Sequence, residues 1–422
     1  MPERGQGQAG LLLAAHGAIL VLALLCPPTV RLRRELFGAL IVASFVALYR
    51  ARPAATDPDV DPGALYSMAT LWVLPLRVLT IVVHSAPSPE HAHYRPAIER
   101  PGDAAAYPVL PKLAWALSLL CAPRGVGWNA PSHGVRDAAQ LSRFASRGAY
   151  LRWAARRLVL LVLVLDGVYT WTRLQPFTLP PDDPRFRLMA DPAVGPVRRL
   201  AGVLANGVSG AAFIQLVYVA VSVLAVGVLG HAPRAWPPLF GDVRRVWSLR
   251  QLWGYCWHQM LRSSLVPWGV AVCRLLRLPP GSLVASAVVV TVAFALSAAG
   301  HALAMHTTDP ALGAGALCFF LLQAVGIVLE NLVCLAYARA RCLWAGDGAA
   351  GDTEQALGRA IGRAWVLAWL AWTGPMQGDE FVRNGMYRRG PLPFEPIGQA
   401  LCRLLLPALG YAGWDVHLGF CQ

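Results

Sequence analysis

Charged residues are scarce in this chain, and lysine is almost absent. Asp, Glu, Lys and Arg together make up 14% of the 422 residues, against about 25% in ordinary globular domains. Hydrophobic residues make up 56%, so the composition indicates a membrane protein rather than a soluble domain. The net charge of +14 comes almost entirely from arginines, mostly in loops between apolar runs, with a single lysine at Lys112. This distribution is typical of membrane orientation, and we predict no nucleic-acid partner.

Metal sites and disulfide frameworks also lack their usual signatures. The nine cysteines contain no Cys-x-x-Cys pair and lie mostly in or beside apolar runs, which favours buried small hydrophobic residues. His91 and His93 could suggest a metal, but no clear third ligand shares their spacing, and a solvated loop is favoured. We predict no metal site and no permanently bound cofactor.

Long apolar runs predict an all-α fold, a polytopic transmembrane helical bundle that forms one membrane domain over residues 1–422. A span needs about 20 apolar residues, and we predict eight or nine spans with one short interfacial run at 112–122. The run at 200–229 could be tilted or broken near Gly207 and Gly210. Arginine-rich loops place the N-terminus in the lumen and the 231–280 loop in the cytosol. The predicted spans cover residues 9–27, 36–50, 64–83, 154–173, 200–229, 283–305, 312–337, 359–375 and 398–413.

An amphipathic stretch at 247–262 combines three tryptophans with one histidine and two arginines, directly after Arg244 and Arg245. Tryptophan rings settle at headgroup level and arginines reach water or anionic groups, so we predict an interfacial helix. Ser248 and Gln251 have the spacing of a capping box, which predicts a helix that starts there and runs to about Arg262. In that helix His258 would pair with Arg262 at i, i+4. A helix that only anchors the protein explains the stretch equally well.

Two further ionisable residues lie inside apolar runs. His301 follows Gly300 within the predicted span 283–305, where an ionisable side chain is costly unless it is paired, so it is a functional candidate. A low dielectric favours the neutral imidazole, which can accept a proton. A core histidine bonded to a backbone carbonyl is the alternative. Glu330 must also find a partner or be protonated, and for it structural pairing is favoured over catalysis.

These stretches resemble the signatures of the wax-synthase-like branch of the membrane-bound O-acyltransferases. Residues 247–259 are similar to the family's S-L-R-x-F-W-G-R-x-W-H-Q, and residues 237–241 to the P-P-L-F-G before it. Residues 297–301 resemble its S-G-x-x-H, and residues 124–129 the R-G-I-G-W-N of fungal members, many of which acetylate terpenoid or other secondary-metabolite alcohols. We therefore predict a catalytic core at 235–320. The departures are Leu252, Tyr255 and Ala298.

The resemblance implies a multi-pass enzyme of the endoplasmic reticulum membrane that moves an acyl group, above all acetyl, from acyl-CoA to the hydroxyl of a hydrophobic alcohol. His301 would accept the hydroxyl proton, and His258 would hold or polarise the thioester carbonyl. No Ser or Cys has the Gly-x-Ser-x-Gly spacing of a nucleophile elbow, so transfer would be direct. The residues expected to contact acyl-CoA or the alcohol are Arg250, Trp253, Trp257, Gln259, Arg262, Ser297 and Glu330.

Two other functions stay open at the level of the sequence. Synthesis of long-chain wax or sterol esters would differ only in the chain length of the donor. A transporter or channel is a different class, but carriers often show inverted repeats and broken helix pairs. No repeat is visible here, and the polar residues cluster in two places rather than along several spans.

Overall fold

The computed structural model describes residues 2–30, 32–51, 62–131, 144, 146–173, 195–345, 351–386, 397–398 and 400–401. Within these ranges the chain forms helices and turns without a β-strand, as the all-α prediction requires. The α-helices are α1 (Pro2–Leu25), α2 (Arg33–Arg50), α3 (Pro62–Ala69), α4 (Val73–His84), α5 (Pro89–Ala92), α6 (Val109–Leu120), α7 (Arg147–Arg173), α8 (Pro196–Gly227), α9 (Leu249–Gln251), α10 (Arg262–Leu275), α11 (Leu283–Thr308), α12 (Ala314–Ala345) and α13 (Asp352–Arg383).

Four helical segments in the described ranges are long and apolar enough to cross a membrane. They are Leu65–His84, in which a 3₁₀ turn joins α3 to α4, and parts or all of α8, α11 and α12, namely Pro196–Gly227, Leu283–Thr308 and Ala314–Cys342. Each coincides with a predicted span. The predicted spans in α1, α2, α7 and α13 are helical as well, but the total of eight or nine spans stays a prediction. The predicted span 398–413 falls almost entirely outside the described residues.

The expectation of a loop at 231–280 was wrong. The 231–280 segment, interpreted as a loop, contains α10 with Pro267 inside it. Its 14 residues are too few to cross a membrane. Its internal proline and the arginines near its ends are typical of loops, so the sequence did not indicate a helix. Gly269 allows α10 to approach α11 closely, because a Cβ there would lie 2.7 Å from Val289 Cα. Helix α8 is continuous through Gly207 and Gly210, so of the two alternatives, a tilt or a break, the break is absent.

Buried charged groups hold the helix ends in place. Glu90, which is fully buried, pairs with Arg33 at 3.3 Å and with Lys112 at 3.1 Å, so it joins α5 to the start of α2 and to α6. Glu380 on α13 caps the start of α12 from the side. Its carboxylate oxygens accept hydrogen bonds from the backbone N–H groups of Gly313, Gly315 and Ala316, at 2.8 to 2.9 Å. A carboxylate is stabilised there because the first N–H groups of a helix have no partner within it.

The helices pack in three sets. Helices α1, α2, α4 and α6 share a core around Trp115, Leu24 and Ile41, and α4 also packs on α10. Helices α10, α11, α12 and α13 follow one another side by side, while α7 and α8 form a pair that reaches the rest through α13. Much of the space between the α7–α8 pair and the other helices is open, and the candidate site lies there.

Candidate active site

A cavity of about 2740 Å³ is lined by residues from α3, α6, α7, α8, α10, α11, α12 and α13. Ligand pockets commonly measure about 300–1,000 Å³, so this cavity has room for two substrates at once. His258 and His301 both line it. The structure therefore brings together two histidines that are 43 positions apart in the sequence.

The backbone before His258 forms a tight turn rather than the predicted long helix. Ser248 caps α9 by accepting a hydrogen bond from Gln251 N at 3.1 Å, and Gln251 Oε1 in turn accepts from Trp247 N at 2.9 Å. The N-terminal cap is thus where the spacing predicted it, but α9 ends at Gln251 and a single π-helical turn, Leu252–Cys256, follows. The chain is extended at Trp257.

The prediction that the helix runs to Arg262 was wrong, because other groups donate hydrogen bonds to the backbone carbonyls that such a helix would use. The buried Gln259 amide donates to Trp253 O at 3.1 Å and to Trp257 O at 2.8 Å, and Gly241 N donates to Cys256 O at 2.8 Å. Those oxygens would otherwise accept the next turn of an α-helix. His258 therefore precedes α10 and does not share a helix face with Arg262.

His258 lies between aromatic rings in the cavity wall. Its ring centroid is 5.6 Å from that of Trp257 and 6.1 Å from that of Phe240. Its Nδ1 is buried and has no hydrogen-bond partner among the residues that the structure describes. Burial, followed by the nearby His301 and Arg124, lowers the pKa of His258 to about 3. The side chain is consequently neutral at physiological pH, with one N–H donor and one lone pair.

His301 is held from three sides. Its ring stacks on Phe320 at 4.4 Å and meets the edge of Trp72 at 6.2 Å, while its Nδ1 shares a hydrogen bond of 3.0 Å with the Tyr66 hydroxyl. The space beside Gly300 is taken by Trp72 rather than left for a ligand, because a Cβ at Gly300 would lie 2.1 Å from the indole. No backbone carbonyl of the described chain bonds this imidazole, so the alternative of a core histidine bonded in that way is not what the structure shows.

An aromatic wall connects the two histidines. The Trp253 ring lies 6.3 Å from Phe320, which stacks on His301, and 5.5 Å from Trp257, which neighbours His258. Trp253 is oriented by a hydrogen bond of 3.2 Å from Nε1 to Gln323 Oε1. Gln323 is fully buried and donates in turn to Phe319 O and to Thr373 Oγ1.

Most of the other candidate residues line the same cavity. They are Arg250, Trp253, Trp257, Gln259, Arg262 and Ser297. Glu330 is not among the lining residues. Its Oε1 accepts from Leu249 N at 2.5 Å and from Trp365 Nε1 at 2.9 Å, and its Oε2 accepts from Arg250 N at 3.1 Å. It caps α9 from a neighbouring helix, which is the structural pairing favoured for it above.

Comparison with known proteins identifies the family. The sequence profile of the membrane bound O-acyl transferase family matches residues 236–322. The chain is 31% identical over 301 residues to the acetyltransferase ataH of Aspergillus terreus, an alignment that covers 68% of this chain and 95% of that protein. The chain belongs to the membrane bound O-acyl transferase family. This acyltransferase is also 27% identical over 313 residues to the acetyltransferase aurG of Calcarisporium arbuscula, covering 68% of this chain and 70% of the relative.

A further relative of this acyltransferase aligns over most of its length. It is the O-Mevalon transferase yanI of Aspergillus niger, 25% identical over 414 residues, with 88% of this chain and 86% of the relative covered. No solved structure matches the chain. The family and these relatives make the chain an enzyme of acyl transfer in secondary metabolism, and they set aside the transporter hypothesis.

Two features of the acyltransferase cavity were missed in the sequence. Tyr66 was not singled out, since nothing local distinguishes it from any other tyrosine in an apolar run. The second feature is the charge of the cavity wall. The described lining has no Asp or Glu. It has seven arginines, namely Arg95, Arg124, Arg157, Arg250, Arg262, Arg274 and Arg363. Arg124 is 5% exposed, donates to Pro237 O at 3.2 Å and leaves its Nε without a partner among the described residues.

Proposed function

We propose that this acyltransferase moves an acetyl group from acetyl-CoA to the hydroxyl of a hydrophobic alcohol, a terpenoid or another secondary metabolite, in the membrane of the endoplasmic reticulum. Residues 235–320 form its catalytic core. The observation that carries the proposal is that His258 and His301 line one cavity with room for donor and acceptor together. The acetyltransferase names of its relatives support the choice of acetyl as the transferred group.

His301 acts as the general base. Its Nε2 has no hydrogen-bond partner among the described residues, so a hydroxyl that enters the cavity can donate to it. As this proton moves to Nε2, the alcohol oxygen attacks the thioester carbonyl carbon. When the C–S bond breaks, the departing CoA sulfur takes the proton from the imidazolium, and the products are the ester and free CoA.

His258 stabilises the charge that develops on the carbonyl oxygen. A neutral imidazole carries one N–H, which can donate to this oxygen as it becomes an oxyanion. The low pKa of His258 suits this task, because the residue then donates without changing its own protonation state. No side chain needs to be acylated, so transfer is direct.

The arginines of the wall favour an anionic donor. Acyl-CoA carries phosphate groups, which guanidinium groups bind with charge-assisted hydrogen bonds. No carboxylate lies among the described lining residues. Arg95 pairs with Glu99, which leaves the charge of the other six arginines for an anionic ligand. Arg250 and Arg262, which flank the π-helical turn, are the arginines nearest in sequence to His258 and belong to the donor side of the proposed site.

Membrane-spanning helices suit an acceptor that dissolves in lipid. Helices α8 and α11 both contribute lining residues and are both apolar enough to span. An alcohol in the bilayer and a donor in the cytosol would otherwise occupy different phases. Holding both within reach of one base supplies a large share of the rate enhancement, because effective molarities for well-oriented reactants are very high.

The test uses microsomes that contain the parent enzyme, His301→Gln or His306→Gln. His306 lies on the same helix, stacks near Tyr49 and is not a lining residue, so it is the matched control. Each preparation receives labelled acetyl-CoA or labelled palmitoyl-CoA with a panel of terpenoid and polyketide alcohols. We expect an added acetyl mass with the parent and the control but not with His301→Gln. Acetylation by His301→Gln at the parent's rate would end the assignment of the base, and products from palmitoyl-CoA alone would favour wax or sterol ester synthesis.

A further inference from the structure

Among the described residues, the Tyr66 hydroxyl forms the one hydrogen bond of the His301 side chain. Tyr66 lies 235 positions before His301 in the chain, and its oxygen is 3.0 Å from Nδ1. Its ring is held by an edge-to-face contact with Phe381 at 5.2 Å. Two side chains of α13, Gln377 and Glu380, interact with the same hydroxyl. Tyr66 thus connects the candidate base to α13.

The His301 ring has little freedom to turn away from this bond. Phe320 covers one face in a nearly parallel stack, with an interplanar angle of 11°. Trp72 meets the ring edge-on and is itself packed against Gly300. With Nδ1 bound to Tyr66, the nitrogen left for a substrate is Nε2.

The direction of the Tyr66 bond decides which nitrogen carries the proton. A neutral imidazole has one N–H and one lone pair, and a general base must present the lone pair to its substrate. Free histidine prefers the proton on Nε2, which is the wrong arrangement for this site. A proton on Nδ1 is favoured only when a neighbouring acceptor bonds to it.

The surroundings of Tyr66 make its oxygen that acceptor. The negative charge of Glu380 favours an orientation in which the tyrosine proton is directed towards α13. The lone pair of the hydroxyl oxygen is then free to accept from Nδ1–H. Hydrogen bonds arranged in such a chain strengthen one another.

We propose that Tyr66 is a positioning residue that accepts the Nδ1–H of His301 and thereby keeps the lone pair on Nε2, the nitrogen that takes the alcohol proton. This inference rests on the proposed function in one respect, that His301 is the base. After proton transfer the Nδ1–H bond to Tyr66 becomes charge-assisted and stronger. Tyr66 therefore favours the protonated intermediate as well as the reactive tautomer.

The test measures the tautomer directly. The full-length enzyme is labelled with nitrogen-15 histidine, reconstituted in lipid nanodiscs and examined by NMR, and the His301 signals are assigned by their loss in His301→Gln. We expect the parent to show a protonated Nδ1 and an unprotonated Nε2, and Tyr66→Phe to lose this pattern while the nine other histidines keep theirs. A proton on Nε2 in the parent, or an unchanged pattern in Tyr66→Phe, overturns the inference. The parent's spectrum decides the first point even if the variant does not fold.

Kinetics provide the second measurement. General-base catalysis contributes about 100- to 10,000-fold, so the loss of its orientation in Tyr66→Phe should lower kcat by about 10- to 100-fold, with the KM for acetyl-CoA nearly unchanged. The control is Tyr150→Phe, which removes a fully buried hydroxyl that bonds Ser222 at 2.6 Å and is not in the cavity lining. A full kcat in Tyr66→Phe refutes the role. Full activity in His301→Gln would instead end the proposed function, whatever tautomer the spectrum shows.

Discussion

Gly300→Ala tests whether the packing behind His301 controls its chemistry. The added Cβ would lie 2.1 Å from Trp72 Cε2 and 2.3 Å from Cζ2, whereas carbon atoms in contact stay about 3.5–4.0 Å apart. The indole, which is 9% exposed and therefore confined, would have to retreat by about 1.4 Å or more. Because Trp72 contacts the His301 ring, the imidazole would move with it or lose its support.

The magnitudes determine the sign of the effect on stability. Overpacking of this kind costs about 1–3 kcal/mol, while alanine in a helix interior is favoured over glycine by up to about 1 kcal/mol. With the full helix gain of about 1 kcal/mol subtracted, the free energy of unfolding should fall by up to about 2 kcal/mol. A misplacement of about 1 Å at a reacting group can cost about 100-fold in rate, so kcat should fall far more than stability alone explains.

The assay compares kcat and the detergent-solubilised Tm for the parent, Gly300→Ala and Gly358→Ala. Gly358 is also inside a helix, α13, but nothing lies within 4 Å of its added Cβ, so its variant should keep full activity and gain slightly in Tm. Each enzyme is assayed with acetyl-CoA and the alcohol that the parent acetylates. A Gly300→Ala enzyme with the parent's kcat and Tm would refute the idea that this close approach holds the base in place.

Two further predictions concern Glu330 and His258. Glu330→Ala removes the acceptor of two backbone N–H groups at the start of α9 and of Trp365 Nε1. It should lower the free energy of unfolding by about 2–4 kcal/mol, whereas Glu330→Gln should retain part of that stability; equal thermal unfolding of both variants and the parent would argue against the capping role. For His258 the folded-state pKa is about 3, below its ordinary value of 6.5, so the unfolded chain binds the extra proton in this interval. The stability of the folded protein should therefore fall as pH decreases from about 6.5, by at most about 1.4 kcal/mol per pH unit. His258→Gln should reduce the slope of unfolding free energy, measured between about pH 6.5 and 4.5, by the share of this one histidine, and an unchanged slope would contradict the burial of that ring.

Some of this site could be anticipated because its signals are local. The oxygen of Ser248 and the N–H of Gln251 are three residues apart, so a cap can be recognised from their spacing, and the structure contains it. The length of the helix that follows could not be anticipated in the same way. The Gln259 amide and Gly241 N compete for its carbonyls, and the latter comes from a segment before the helix begins.

Glu330 shows the same division between local and distant information. A carboxylate in an apolar run needs a partner, which is a statement about its own surroundings. Which partner it finds depends on the approach of α12 to the start of α9, some 80 positions earlier. Glu330 was expected to contact the substrate, but in the structure it caps the backbone of α9 and does not line the cavity.

The amino-acid sequence by itself determined the membrane class, the helical fold, the acyltransferase signatures and the two histidines, because composition, periodicity and short motifs are properties of neighbouring residues. Only the tertiary structure decided that His258 follows a π-helical turn, that both imidazoles line one cavity, and that Tyr66 reaches Nδ1 of His301. Those contacts join residues far apart in the chain, and they form where packing and unsatisfied backbone groups, rather than local preference, have the lowest free energy.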